Sequence, residues 1–316
     1  MKVVDQVRLI DQPVQRIDVT GADRAAFLED VTTQHYGDAG VGDVRGALVL
    51  DPHGLPQAMF DVVVLGDRFA LLAADDEQAA WIVDTLGGRT FLRDAAFARV
   101  ASRTIAVRGT NSDRVLADVG LGVVPGRARL ADGVLLIPRA DGVDVVARDA
   151  DAGEIRNALV AAGVEPTPSA GIDDWRVVQG IPAWGREVVA PHLPEEAGVL
   201  PTHVHLAKGC YPGQEAVARM WMLGRPRRRL ARITARAAAL HPGQELGEGR
   251  DAVTVTTVHA DGQRALAFVP ADATAGTSIT RSEITLDVDA LVGVDAPPGH
   301  EPSVTRRRDR PVTTSR

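Results

Sequence analysis

The stretch Lys208-Gly209-Cys210-Tyr211-Pro212-Gly213-Gln214-Glu215 holds the only cysteine of a 316-residue chain. Gly209 and Gly213 permit backbone conformations that other residues resist, and Pro212 fixes its own φ. The run that follows, Gln214 to Leu223, combines good helix formers with apolar residues at helical spacing. The eight residues therefore read as a turn feeding a helix. Cys210 stands ahead of the predicted helix N-terminus and beside Lys208, and both features favour a thiolate. The same thiol also reads as a small buried hydrophobe, the commoner fate of an intracellular cysteine. Glu215 and Arg219 are four residues apart, spaced to pair on one helix face.

The pattern K-G-C-Y-x-G-Q-E, followed within a few residues by A-R, resembles the signature of the YgfZ family of folate-binding proteins. Members of that family help assemble or maintain iron–sulfur clusters. Residues 208–215 and Arg219 match it at every defined position. The family is related to the T-protein of the glycine cleavage system, an aminomethyltransferase that uses tetrahydrofolate and lacks the cysteine. Cys210 thus favours the YgfZ side. The resemblance implies a tetrahydrofolate-binding accessory protein with Cys210 as the functional thiol and Lys208 at its side. It implies Tyr211, Gln214, Glu215, Arg219, Trp175, Arg176 and Trp184 as folate-binding residues, and iron–sulfur client or assembly proteins as partners.

Working outward, Asp173-Asp174-Trp175-Arg176-Val177-Val178-Gln179-Gly180-Ile181-Pro182 resembles the family phrase R-[IL]-E-A-G-x-P. Arg176, Gly180 and Pro182 stand where expected, but Val178 occupies the glutamate position. In the aminomethyltransferases that glutamate recognises the folate ring by accepting paired hydrogen bonds, which valine cannot do. Glu187 or Asp173 would have to take the role, or the ligand preference has changed. Trp175 and Trp184 suit stacking on a flat heteroaromatic ring, or packing in the core. His203 and His205 alternate along an expected strand, and no acid or cysteine pattern nearby completes a metal site. No tightly held metal is expected.

In the N-terminal half, Asp61 interrupts the apolar run Met59-Phe60-Asp61-Val62-Val63-Val64. A carboxylate there must face solvent, a cavity or a partner, because burying it alone is costly. In the related aminomethyltransferases a strand aspartate near this place is catalytic, and Asp61 is the local match. The phrase from Val19 to Gln34 looks like the opening of both families, a strand, a helix and a polar turn. Family members place Thr32, Thr33 and Gln34 beside the folate cavity.

The remaining pattern predicts strands over 44–50, 60–65 and 69–73, with a turn at Asp51-Pro52-His53-Gly54. A helix follows over 75–87 and strands over 91–107. Next come a short helix over 112–121, a hairpin about Asp141-Gly142 and a helix over 151–162. Strand-rich blocks carrying helices, followed by short strands over 237–295, give an α+β chain. With the resemblance, the expected architecture is a duplicated ferredoxin-like folate-binding region over 1–224 in two lobes. A small C-terminal β-barrel over 225–295 and a disordered basic tail over 296–316 follow, arranged around a central cavity. The basic stretch Arg225 to Arg236 reads as a solvated linker and first strand, or as a patch for an acidic ligand.

Composition limits the function. Apolar content of 45% and charged content of 24% describe an ordinary globular protein. A net charge of −7 argues against general nucleic-acid binding. A single cysteine excludes a disulfide framework and an all-cysteine cluster site within one chain. No signal-like or membrane-spanning apolar run is evident, so a cytoplasmic protein with no membrane association is expected. Two other readings remain at this level. One is a folate-dependent one-carbon (aminomethyl) transferase using Asp61; the other is a binding protein for a different flat heterocyclic cofactor.

Overall fold

A computed structural model describes residues 7–223 and 226–300. The expected tail beyond residue 300 and the arginine at 225 lie outside the described residues. The chain divides into two compact units. One takes the chain up to Val31, His35–Gly46 and Phe60–Ile172. The other takes Thr32–Gln34, Ala47–Met59 and the chain from Asp173 onward.

The first unit opens with β1 (Arg8–Gln12) and β2 (Gln15–Thr20). Pro13 lies between them, where a missing N–H donor breaks a strand ladder. The chain continues through α1 (Arg24–Val31), β3 (Val44–Leu50), β4 (Pro56–Val64), β5 (Phe69–Ala73) and α2 (Asp76–Gly87), with β3 from Ala47 and β4 up to Met59 counted in the second unit. Asp75 caps α2 by accepting the Gln78 N–H at 2.8 Å, and Asp76 and Glu77 complement its dipole. Then come β6 (Ala96–Val100), β7 (Ser102–Arg108), α3 (Ser112–Asp118), β8 (Arg129–Ala131), β9 (Val134–Arg139) and β10 (Gly142–Arg148). The unit closes with α4 (Asp149–Ala161) and β11 (Glu165–Thr167).

These strands make two sheets, the first mixed through the parallel pairing of β1 with β11, the second antiparallel where β4, β5, β2 and β6 pair. One has the order β11-β1-β7-β10-β9-β8, the other β3-β4-β5-β2-β6. Leu116 of α3 and Ala152 and Leu159 of α4 pack on Leu9, Ile105, Val107 and Val145 of the first sheet. From that sheet's other face Leu135, Ile137 and Val146 meet Val63, Leu65, Ala70 and Leu72 of the second. The alternation of side chains across each strand makes both faces apolar, as a sheet covered on both sides requires. The core of this unit is thus sheet packed on sheet, with helices outside.

The second unit contains α5 (Gly171–Gln179), α6 (Leu200–His203), α7 (Gln214–Leu223), β12 (Arg228–Arg236), β13 (Glu245–Leu246), β14 (Val253–Val258), β15 (Arg264–Pro270), β16 (Ser278–Arg281) and β17 (Ile284–Leu291). Its strands form an antiparallel, barrel-like sheet in the order β13-β14-β15-β12-β17-β16. Ile233, Val253, Val255, Ala267, Leu286 and Val288 fill its interior. Val177 of α5 packs outside it with Leu230, Leu266 and Phe268. Residues 296–300 make a turn here, and Leu206 N–H donates to the Pro298 carbonyl at 2.8 Å.

The chain is therefore α+β, with the barrel-like sheet late in the sequence, as its pattern predicts. The expected strand through His203 and His205 is absent, because residues 200–203 form α6. Pro201 sits in its first turn, where the fixed φ suits a helix and the missing N–H costs nothing.

Candidate functional site

The signature turn lies in the second unit. Its conformation is set by a meeting of two glycine turns. Gly213 has φ +81°, and a Cβ on it would lie 2.5 Å from the Asp51 carbonyl oxygen. Gly54, in the turn Asp51–Gly54, has φ +83°, and a Cβ there would lie 2.8 Å from the Ala216 Cβ. The Asp51 carboxylate holds its own turn by accepting the His53 and Leu55 N–H groups, each at 2.8 Å. Only glycine fits at both positions, because the backbones approach each other directly.

The side chains of the turn alternate sharply in burial. Lys208 is buried and donates from Nζ to the Thr32 carbonyl at 2.7 Å. Its ammonium also lies 4.6 Å from the centroid of the Tyr211 ring. Tyr211 belongs to the cluster of Leu48, Leu50, Val204, Val217 and Trp221, and burial pushes its phenol up to about 12. Between these two anchors Cys210 is exposed. The thiol thus stands outside the core on a turn fixed at both ends.

Thr32, Thr33 and Gln34 are buried beneath the turn. Thr33 Oγ1 donates to the His203 carbonyl at 2.5 Å and accepts the Leu48 N–H at 2.9 Å. The Thr33 carbonyl accepts the His205 N–H at 2.9 Å. Thr33 therefore connects β3 to the segment entering the signature turn, and Thr32 holds the turn's Lys208. Gln214 is half-buried at the start of α7. Glu215 and Arg219 pair at 2.5 Å with side chains 86% and 70% exposed. Such a pair contributes about 0.3–0.5 kcal/mol at most.

Arg176 is turned inward. It donates from Nη2 to Glu187 at 2.5 Å, from Nη1 to Asp173 at 2.9 Å and from Nε to the Ile181 carbonyl at 3.1 Å. Glu187 is fully buried and also accepts the Ala183 N–H at 2.9 Å and the Thr257 hydroxyl at 2.6 Å. Asp173 accepts a further bond from Arg186 at 2.8 Å. Both carboxylates that might replace the glutamate missing at Val178 are therefore occupied by arginines. Val178 itself is 39% exposed on α5. Trp175 is half-buried, and Trp184 packs at the edge of the Tyr211 cluster. Sequence reasoning missed Thr257, whose hydroxyl comes from a strand 70 residues beyond Glu187.

Asp61 lies in the first unit, on β4. It pairs with Arg139 Nη1 at 2.7 Å, and Arg139 Nε donates to Asp144 at 2.7 Å. Asp144 also takes Arg108 at 2.5 Å and the Gln12 amide at 3.3 Å. Burial works against the Arg139 charge, but Asp61 and Asp144 outweigh it and hold the guanidinium well above its ordinary pKa. Asp61 is thus one end of a chain of ion pairs. Among the described residues no group of three His, Cys, Asp or Glu side chains is placed to hold a metal. No described helix is long and apolar enough to cross a membrane.

The backbone can be compared with solved structures. The chain superposes on the glycine cleavage system aminomethyltransferase T of Bartonella henselae with a TM-score of 0.81, covering 93% of this chain and 88% of that one at 19% identity. The fold is that of aminomethyltransferase T. In sequence, the chain is 24% identical over 246 residues to a putative chloroplastic transferase of Arabidopsis thaliana, covering 73% of this chain and 56% of that protein. It is 29% identical over 221 residues to an aminomethyltransferase of Streptomyces avermitilis, covering 64% and 59%. The chain thus spans less than two thirds of the length of these curated relatives. No family model matches the sequence.

Proposed function

We propose that this protein binds a reduced folate, tetrahydrofolate or a derivative, and uses Cys210 as a thiol in support of iron–sulfur cluster assembly or repair. The observation that carries the reading is the signature turn. An exposed cysteine is held between a buried lysine and a buried tyrosine, on a turn whose exit at Gly213 only glycine permits. Such rigidity has no packing purpose at the thiol itself, since Cys210 contributes nothing to the core. The aminomethyltransferase fold and the transferase relatives support a folate as the ligand class.

The residues of α5 do not fit the usual carboxylate grip on the folate ring. Val178 is apolar, and Asp173 and Glu187 are engaged by Arg176 and Arg186. Folate binding here rests on other contacts, with Tyr211, Gln214, Trp175 and Trp184 as the candidates.

The second reading is folate-dependent one-carbon transfer, favoured by the similarity to an aminomethyltransferase. It needs a carboxylate free to act on the amine, and Asp61 is already paired with Arg139 at 2.7 Å. The test is calorimetric titration with tetrahydrofolate and folinic acid, alongside the activity of iron–sulfur enzymes in cells carrying Cys210→Ala. Binding with a Kd of about 1–100 μM, and loss of cluster-dependent activity in the variant, are expected. Absence of binding in the wild type, with binding gained in Val178→Glu, would remove folate as the ligand. Transfer activity that survives Cys210→Ala and is lost in Asp61→Asn would establish the second reading instead.

A further inference from the structure

A cleft between α5 and the barrel-like sheet is lined by Val178, which stands at the glutamate position of the resembled phrase, but by none of the proposed folate contacts Tyr211, Gln214, Trp175 and Trp184 and not by Cys210. Its volume is about 210 Å³, and it is lined by Val177, Val178, Arg232, Ile233, Arg264 and Asp289. That is below the roughly 300–1,000 Å³ of sites for drug-sized ligands, so a ligand here is small. The register of β12 against β17 shifts between Arg232 and Ile233. A bulge of this kind re-aims side chains and is common beside binding sites.

The polar groups of the cleft have few protein partners, and Asp289 and Arg264 are open to water or a ligand. Arg232 donates from Nη1 to the Val178 carbonyl, which anchors its guanidinium to α5. Arg264 donates from Nε to Asp261 at 2.6 Å and places Nη2 2.8 Å from His259 Nε2. Asp289 accepts the Thr234 hydroxyl on Oδ2 at 2.8 Å. Among the described residues Arg232 Nε and Nη2, Arg264 Nη1 and Asp289 Oδ1 take no further partner. Nor does Asp289 form an ion pair with either arginine. Two cations and one anion thus line a single recess without pairing across it, above an apolar wall of Val177 and Val178.

We propose that this cleft binds a small zwitterion with an aliphatic side chain, an apolar α-amino acid. Its carboxylate would meet the free edges of Arg232 and Arg264, charge-assisted contacts for which guanidinium geometry is suited. Its ammonium would meet Asp289 Oδ1, and its side chain the two valines. The site shares Val178 with the position of the missing folate glutamate but none of the proposed contacts Tyr211, Gln214, Trp175 and Trp184, and the proposal does not rest on that function.

The test uses the full chain and isothermal titration with L-leucine, with 4-methylpentanoate lacking the ammonium, and with 3-methylbutylamine lacking the carboxylate. The expected Kd for leucine is about 10 μM to 1 mM, with each analogue at least about tenfold weaker. Arg232→Gln should weaken leucine by about tenfold or more. Because that change also removes the bond to the Val178 carbonyl, Asp289→Asn is the cleaner variant. It keeps a hydrogen-bonding oxygen for Thr234 and should abolish the preference for leucine over 4-methylpentanoate. No leucine binding at about 10 mM, or an unchanged preference in Asp289→Asn, would overturn the proposal. Displacement of leucine by folinic acid would also overturn it, by merging the cleft with a folate site. A failure to bind folate, with leucine binding intact, would leave it standing.

Discussion

At the residue scale the signature turn separates two kinds of importance. Cys210 is exposed and its removal leaves no cavity, so Cys210→Ala should change stability by no more than about 0.5 kcal/mol. Gly213 is the opposite case. An alanine there would carry φ near +81° and press its Cβ to 2.5 Å from the Asp51 carbonyl and 3.1 Å from the Gly54 Cα. The conformational cost alone is of order 1–3 kcal/mol, and the backbone contact cannot be relieved by a side-chain rotation. Gly213→Ala should therefore lower the urea midpoint strongly while leaving the m-value unchanged. Gly209 has open space at its Cβ position, and Gly209→Ala is the matched control. Equal midpoints for Gly213→Ala and Gly209→Ala would refute this account of the turn.

At the scale of elements, the Arg176–Glu187 pair joins α5 to β14. Glu187 bonds Arg176 in the helix, the Ala183 N–H in the following loop and Thr257 in the strand. Its carboxylate is fully buried, so deleting it leaves Arg176 with a buried charge that Asp173 alone answers. Glu187→Ala should cost about 3–5 kcal/mol, as removal of one partner of a buried pair does. Thr257→Val, which removes only the hydroxyl, should cost about 1–2 kcal/mol. Equilibrium urea unfolding of both variants would read the difference, and a cost below that of Thr257→Val for Glu187→Ala would defeat the argument. The elements themselves were largely legible in the sequence. Strands 44–50, 69–73 and 253–258, the helix after Asp75 and the turn at Asp51–Gly54 follow from local periodicity and turn chemistry. Neither the allocation of β1 and β2 to different sheets nor the Glu187–Thr257 bond was legible. Both depend on pairings between residues far apart in the chain, which carry no local signal. His203 and His205 misled for another reason. Their alternation suits a strand, but Pro201 and a helical hydrogen bond from His203 N–H to the Val199 carbonyl decide the segment. At the candidate site, the Lys-Gly-Cys-Tyr motif announced the turn. It did not announce that Arg176 and Glu187 would be engaged with each other.

At the scale of the whole molecule, aspartate–arginine pairing should govern acid stability. Asp144 is buried between Arg139 and Arg108; burial would raise its pKa, but the two guanidiniums outweigh it and hold the carboxyl below the usual range. Asp38, Asp67 and Asp287 are also lowered, chiefly by hydrogen bonds from Arg45, Arg68 and Arg236, but Asp38 and Asp67 are exposed and Asp287 is only half-buried. A depressed carboxylate binds its proton less readily in the folded state than in the unfolded chain. Its contribution is therefore complete above the unfolded value near ~3.9 and is lost as pH falls through the lower folded value. The aspartate contribution should thus hold level from about pH 8 to about pH 5 and decline below about pH 4, whereas His192, whose pKa burial lowers, adds a loss that begins below about pH 6.5. Ionic strength separates the two classes of pair. At about 1 M salt the screening length is roughly 3 Å, which removes the exposed contributions and leaves the buried one. The acid decline should therefore become shallower in high salt without disappearing, and Asp144→Asn should remove part of what remains, the rest falling to Asp261, whose partial burial is outweighed by the Arg264 and Gln263 backbone N–H groups and the Arg264 guanidinium. Urea midpoints measured against pH at low and high salt, for wild type and Asp144→Asn, read both effects. The readout is the slope, because Asp144→Asn lowers stability at every pH by leaving Arg108 without its carboxylate. A high-salt acid slope equal in the two proteins would show that the Asp144 pairs do not carry the acid sensitivity. The decline would then belong to carboxylates outside the Arg108–Asp144–Arg139–Asp61 chain.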